Sequence, residues 1–484
     1  MAAGKDKALV GTFWLLVERF SVQLCQFVIS IVLARLLMPE DYGVVGMLSI
    51  FMAIAQAFLD SGFNRALIQK KDRSDIDYST VFYFNIAIAV VLYSIFFITA
   101  PLIASFYNTP ILKSVARASF FALIINAFSI VQTSKLTIEL NFKLQTIATV
   151  FSIVISGTIG IICAYNGLGV WALVIQSLVS ATIRCIVLWM FSHWKPLLAF
   201  SKESFNTLFS FGSKLLIGEL LHQIATNLYT LVIGKKCRVA DVGYYNRANG
   251  FASLPPGIFG SVLNSVMFPI LSERQDDNES LLGVYRKMFR VPMFLFVPLM
   301  FGMAALAKPI VLALIGQKWL DCVVLMQVLC IGYVFGPMST INLNLLYVKG
   351  RSDLTLKLDL IKKPIMIFIL IISIPFGLWW VCFGKAAYDL VAFAINSVYT
   401  KKILNYGFFQ QFREIIPIII NSIVMFFAIT FVISFFDNVW IQILLGFVSG
   451  VVIYGTIAFV YREPAFKEIF QITKQYIKKI RNNA

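Results

Sequence analysis

Val32-Leu-Ala-Arg35-Leu-Leu-Met-Pro39-Glu-Asp41-Tyr-Gly43 joins two long apolar runs, and Val232-Ile-Gly-Lys235-Lys-Cys-Arg-Val239-Ala-Asp241-Val-Gly243 joins two more, 200 residues later. At that shift residues 15–64 align with 215–264 without a gap, at nine identities that include Gln23/Gln223, Asp41/Asp241, Gly43/Gly243, Ser61/Ser261 and Asn64/Asn264. Apolar helices match by chance, so the polar pairs carry the weight. In the turn, Asp can cap the following helix and Gly permits a tight entry. The preceding runs carry matching polar stripes. Arg19, Gln23, Gln26 and Ser30 fall at i, i+4, i+7 and i+11, and Glu219, Gln223, Thr226 and Thr230 repeat that spacing on one helical face. Further along, Asn166-Gly-Leu-Gly-Val-Trp171 is similar to Phe376-Gly-Leu-Trp-Trp380. Two repeats with an even number of spans share one orientation, and an axis along the membrane normal would relate them.

Composition makes the runs membrane spans. Of 484 residues 59% are hydrophobic and 13% charged, with a mean hydropathy of +0.83. No soluble core hides that excess. At about 20 apolar residues per crossing, the chain reads as an all-α integral membrane protein with fourteen transmembrane helices. Barrel strands would be shorter and alternating. The expected organisation is a six-helix lobe over 1–200, a pseudo-symmetric six-helix lobe over 201–405, two added helices over 406–460, and a basic amphipathic tail over 461–484. The longest connection, about 272–290, reads as a charged linker, and no loop can hold a folded domain. The first run is long, contains Glu18 and Arg19 and lacks a clear cleavage site, so it reads as an uncleaved span.

The net charge of +17 would suggest nucleic acid in a soluble protein. In a membrane protein it places loops. With the N-terminus inside, 28 Lys and Arg fall on the cytoplasmic side and 8 outside, which puts both termini in the cytoplasm. No nucleic-acid partner is expected.

Charges within the spans mark candidate sites, because a central Arg, Lys or Asp costs about 2.5–3.5 kcal/mol on the insertion scale. Arg19 and Gln23, with Lys214, Glu219 and Arg247, are the expected substrate-binding residues. Glu18, Asp60, His222, Lys385 and Asp389 are candidates for ion coupling or support. Each has a plainer reading. Arg247 can anchor at the interface, His222 can donate to Glu219, and Asp60 can cap a helix or pair with Arg65. Lys385 and Asp389, at i and i+4, can neutralise each other, and Arg184 reads as a structural partner. Two separated His and seven Cys without a CxxC give no metal site. No phosphate-binding loop and no catalytic dyad are present, so no cofactor and no enzymatic activity are expected.

Leu33-Ala-Arg-Leu-Leu-Met-Pro-Glu-Asp-Tyr-Gly43 and Leu59-Asp-Ser-Gly-Phe-Asn-Arg-Ala-Leu-Ile-Gln-Lys-Lys-Asp72, with Gly243-Tyr-Tyr-Asn-Arg-Ala248 and Val266-Met-Phe-Pro-Ile-Leu271, resemble the polysaccharide-transport branch of the multidrug/oligosaccharidyl-lipid/polysaccharide (MOP) exporter superfamily. Among its members, the colanic-acid and teichuronic-acid exporter type of O-antigen flippase looks nearest. The resemblance implies two six-helix bundles in a V, with the first, second, seventh and eighth spans lining a central cavity. It also implies a cargo, an undecaprenyl-pyrophosphate-linked oligosaccharide flipped to the outer leaflet of the bacterial inner membrane. Membrane lipid, a polysaccharide polymerase and assembly proteins would be its partners.

Two rivals stand beside this reading. A proton- or sodium-coupled drug/cation antiporter of the same fold would want a carboxylate-rich cavity, whereas the charges in these spans are five basic against four acidic. A membrane glycosyltransferase or polymerase would need a sizeable outer loop, which the spacing of the runs leaves out.

Overall fold

The computed structural model describes residues 21–60, 63–192, 194–461 and 463–468, without the side chains of Arg65, Phe211 and Lys214. Every regular element among them is helical. Packing divides the chain into two compact units, residues 1–243 and 244–484.

The first unit contains α1 (Ser21–Leu36), α2 (Pro39–Asp60), α3 (Phe63–Gln69), α4 (Asp75–Phe106), α5 (Leu112–Ala127), α6 (Ile130–Ile138), α7 (Phe142–Tyr165), α8 (Val170–Ser192) and α9 (Lys202–Lys236). The division falls inside α10 (Val239–Ser272). The second unit continues with α11 (Asn278–Ala305), α12 (Ala307–Leu314), α13 (Cys322–Tyr333), α14 (Phe335–Val348), α15 (Ser352–Ser373), α16 (Leu378–Leu404), α17 (Phe408–Ile433) and α18 (Val439–Val460).

Among the described residues, eleven helices are long and apolar enough to cross a membrane. The pair α5–α6, bent by 41°, would make a twelfth. Two segments separate this number from the fourteen read in the sequence. One is α1, described only from Ser21. The other is α15, whose first turns hold Lys357, Asp359, Lys362 and Lys363. Lys362 is buried and pairs with Asp359 at 2.8 Å, which reduces the cost of carrying that charge in an apolar helix.

Helix starts follow capping chemistry. Ser74 and Asp77 form a reciprocal capping box at α4, and Lys70 reaches the same carboxylate at 2.7 Å. The segment 272–290 is mostly helix rather than linker. Asp277 accepts from the backbone N–H groups of Glu279 and Ser280, and α11 starts immediately after it. Glu279, Arg286, Lys287 and Arg290 lie along α11, where Arg286 Nε meets Glu414 Oε1 at 2.7 Å and Arg290 meets Oε2 at 3.2 Å. The connection from α8 to α9 is pinned along α4, with Leu197 N donating to Ser79 Oγ at 2.9 Å and Ser201 N to Thr80 Oγ1 at 3.1 Å. Of the basic tail, only 463–468 is described, and the rest of the expected amphipathic helix lies outside the described residues.

Candidate functional site

The two quoted turns adopt the same geometry. Met38 N–H donates to Asp41 Oδ2 at 2.9 Å, and Arg238 N–H donates to Asp241 Oδ2 at 3.0 Å. Each Asp therefore caps its helix by reaching back three residues to the N-cap N–H. The turns also meet each other. A Cβ built on Gly43 would lie 2.0 Å from the carbonyl oxygen of Val239, and one on Gly243 would lie 2.0 Å from that of Pro39. Pro39 and Val239 are themselves a pair at the 200-residue shift. The contact is thus reciprocal, and backbone meets backbone only because both positions lack a side chain.

Beyond the turns the same bonds recur. Asn64 Oδ1 accepts from Ser134 Oγ, and Asn264 Oδ1 accepts from Asn344 Nδ2 at 2.8 Å. Gly167 and Gly377 both have left-handed backbones, at φ 76° and 95°.

Burial changes along the helices that leave these turns. Near the turn, Ile29, Leu33 and Leu37 of the first run pack against α7 and α8, and Tyr229, Thr230 and Ile233 of α9 are buried. On α10, Val242, Tyr245, Ala248 and Ala252 are buried as well. Farther from the turn the side chains open out. Gln23 and Gln26 are exposed on α1, Ile217, Leu221 and His222 on α9, and Ile258, Ser261, Val262 and Ser265 on α10. In an apolar helix, exposed Gln and His need water or a polar ligand.

The candidate residues fall out as follows. Glu18 and Arg19 lie outside the described residues, and Lys214 is placed only as a position on α9. Glu219 is seventeen residues from each end of α9, half-buried, and accepts from Gln223 Nε2 at 2.7 Å. The donor on Glu219 is therefore Gln223, and His222 stands exposed beside it. Asn227 extends the stripe by donating to the Gln223 carbonyl at 2.9 Å. Asp60, at the end of α2, accepts from Gln56 Nε2 at 2.8 Å.

In the second unit the charges are held by aromatic rings. The Arg247 guanidinium sits 5.7 Å from the centroid of Trp319, whose ring packs edge-on to Tyr244. Such a contact contributes about 0.5–2 kcal/mol. Two residues along α10, Asn249 accepts from Tyr333 Oη at 2.6 Å. Lys385 Nζ lies 4.0 Å from the Tyr333 centroid and 3.1 Å from Asp389 Oδ2. Lys385 and Asp389 thus do neutralise each other, and through Tyr333 they brace the stretch of α10 that carries Arg247. Sequence reasoning passed over Trp319 and Tyr333, since an aromatic residue in an apolar run gives no signal of its own.

Among the described residues no group of three His, Cys, Asp or Glu could hold a metal, and the seven cysteines are free thiols.

Against known proteins, residues 32–324 match the model of the family described as polysaccharide biosynthesis protein. The chain belongs to that family. The eleven long apolar helices among its described residues make it a multi-pass membrane protein. Among curated relatives, the teichuronic acid biosynthesis protein TuaB of Bacillus subtilis is 24% identical over 72% of this chain and 73% of its own length. The succinoglycan biosynthesis transport protein ExoT of Rhizobium meliloti is 24% identical over 93% and 92%. The lipid II flippase MurJ, solved in an inward closed conformation, superposes with a TM-score of 0.74 at 16% identity, over 94% of this chain and 99% of that one. At that identity the likeness to MurJ is one of fold. α1, α2, α9 and α10 fall on the first, second, seventh and eighth apolar runs of the sequence.

Proposed function

We propose that this family member flips an undecaprenyl-pyrophosphate-linked oligosaccharide from the cytoplasmic to the outer leaflet of the bacterial plasma membrane, and so exports a polysaccharide precursor. The observation that carries this is the reciprocal crossing at Gly43 and Gly243, combined with polar exposure on the far halves of α1 and α9. Two turns locked together within the first unit, with polar side chains exposed farther along α1 and α9, suit one closed stage of an alternating-access cycle. In this reading the chain has fourteen spans in two six-helix lobes plus a final pair, with both termini cytoplasmic. The lobes rock about the crossing.

The chemistry follows from the cargo. A pyrophosphate cannot enter lipid bare. Arg19, Lys214 and Arg247 supply cations, the Arg forks matching phosphate oxygens and Lys a point charge. Gln23 and Gln223 offer hydrogen bonds to sugar or phosphate. Glu219 holds a cation between cargoes or carries a coupling proton, with Glu18, Asp60 and His222 in support. The Lys385–Asp389 pair positions α10. A polymerase and assembly proteins take the product at the outer face. The work is transport without bond making, so no cofactor is required.

The test is export in a deletion strain. Arg19→Ala, Lys214→Ala or Arg247→Ala should each abolish polymer at normal protein level, because one charge-assisted contact of about 1.5–3 kcal/mol is at least tenfold in binding. Full export by all three variants would refute the cationic cavity. The antiporter alternative draws on Glu219, a carboxylate at the midpoint of α9. Ion-coupled drug efflux that is lost in Glu219→Gln would favour it.

A further inference from the structure

On the side that the sequence assigns to the cytoplasm, the second unit carries a cleft of about 540 Å³ that the transport reading leaves unused. The start of α11 contributes Asn278, the α14–α15 turn Lys349 and Arg351, and the end of α16 Tyr399 and Lys402. Lys349 Nζ is fixed at the mouth, donating to Asn278 Oδ1 at 2.7 Å and to the carbonyl of Gln275. Lys402 Nζ stands 5.2 Å from the ring centroid of Tyr399. Arg351 forks onto Asp353 at 2.9 and 3.0 Å, which holds that carboxyl below its ordinary range and cancels the Arg charge. Among the described residues, no carboxylate lies within ion-pairing distance of Lys349 or Lys402. The floor is apolar, since Leu354 and Tyr399 belong to a cluster with Leu346 and Leu358.

We propose that this cleft binds the phosphate headgroup of an anionic phospholipid of the inner leaflet. Two uncancelled ammonium groups over an apolar floor fit a ligand that is anionic at one end and greasy at the other. A soluble phosphate would use the rim alone. The cleft also lies where three helices end on the side that the sequence assigns to the cytoplasm, and basic pockets between spans on that side recognise such lipids. The cargo plays no part in this inference, so it stands or falls apart from the flippase reading.

The experiment is native mass spectrometry of the full chain released from mixed phosphatidylcholine and phosphatidylglycerol vesicles. Wild type should retain phosphatidylglycerol over phosphatidylcholine. Lys402→Gln, an exposed change that leaves the Lys349 contacts alone, should weaken that retention about fivefold, and Lys349→Gln with Lys402→Gln about 25-fold. Lys113→Gln, in the first turn of α5 on the side that the sequence assigns to the outside, should leave it unchanged. Equal retention by wild type and Lys402→Gln overturns the proposal, whether or not the double variant folds. Displacement of the bound lipid by millimolar inorganic phosphate also overturns it, in favour of a soluble anion.

Discussion

Replacing Gly43 by Ala tests the crossing directly. The new Cβ would sit 2.0 Å from Val239 O and 2.9 Å from Val239 Cγ1, while a relaxed carbon contact needs about 3.5 Å. The two backbones must therefore separate by about 1.5 Å at this point. Overpacking of that kind costs about 1–3 kcal/mol, which shifts the equilibrium away from the pinched state roughly five- to hundredfold. Gly243→Ala meets Pro39 O at the same 2.0 Å and should cost the same. Both force one separation, so the double variant should cost little more than either alone, a large departure from additivity. Gly260→Ala, with nothing within 4 Å of the added Cβ, is the control for a helical Gly. The assay pairs polymer export with maleimide labelling of a cysteine placed at Gln23, on the half of α1 that is open here. Export should fall and labelling from the cytoplasm should drop in both single variants, with protein level and thermal stability unchanged. Wild-type export and labelling in Gly43→Ala, or simple additivity in the double variant, would refute the gate.

A cysteine at Met38, which is exposed next to the first turn, should react with an impermeant maleimide in intact cells. Reaction only after permeabilisation would reverse the orientation. Lys385→Ala strands the Asp389 carboxylate and should lower stability by about 2 kcal/mol, with Lys385→Ala/Asp389→Ala regaining part of the loss in thermal melts. Asn342→Leu removes the acceptor shared by Tyr285 Oη, Thr400 Oγ1 and Gln411 Nε2, at 3.1, 2.6 and 2.9 Å. With those buried groups left unpaired at about 1–3 kcal/mol each, the variant should melt early or fail to accumulate.

What was legible in the sequence was whatever repeats at short range. Asp41 and Asp241 announced a cap and a turn, and both cap, whereas the glycines were read only as allowing a tight entry and turn out to let the two turns touch. The 200-residue shift was visible because polar residues are rare in these helices, so each coincidence stood out. What escaped were contacts between distant segments. Arg286, Lys287 and Arg290 made 272–290 look like a solvated linker. Glu414, which neutralises two of them, lies more than a hundred residues on, and no local pattern links them. Trp319 and Tyr333 were unreadable for the opposite reason. In a chain with 15% aromatic residues, one more ring carries no information until its neighbour is known to be a cation. Asp60 was expected to cap a helix or pair with Arg65, whose side chain lies outside the described residues, and the structure adds Gln56 at i−4 as a donor to it.

The last two helices were read as an addition to the lobes, and their bonding gives that reading a consequence. α17 enters the buried knot through Gln411, which both donates to and accepts from Asn342 at 2.9 Å, and meets α11 through Glu414. α18 adds Tyr454, whose hydroxyl donates to the Phe294 carbonyl at 2.9 Å. A weakly attached pair would touch its neighbours through apolar side chains alone, since lipid replaces those contacts at little cost. Polar contacts are different, because the buried Asn342 finds no replacement for Gln411 once the pair is gone. Ending the chain at 405 should therefore destabilise the whole second unit rather than trim it. Protein level should collapse, and co-expressing residues 406–484 as a separate chain should restore it in part. A truncated protein that accumulates and exports normally would show that these bonds are dispensable, and that the pair is an addition in energy as well as in sequence.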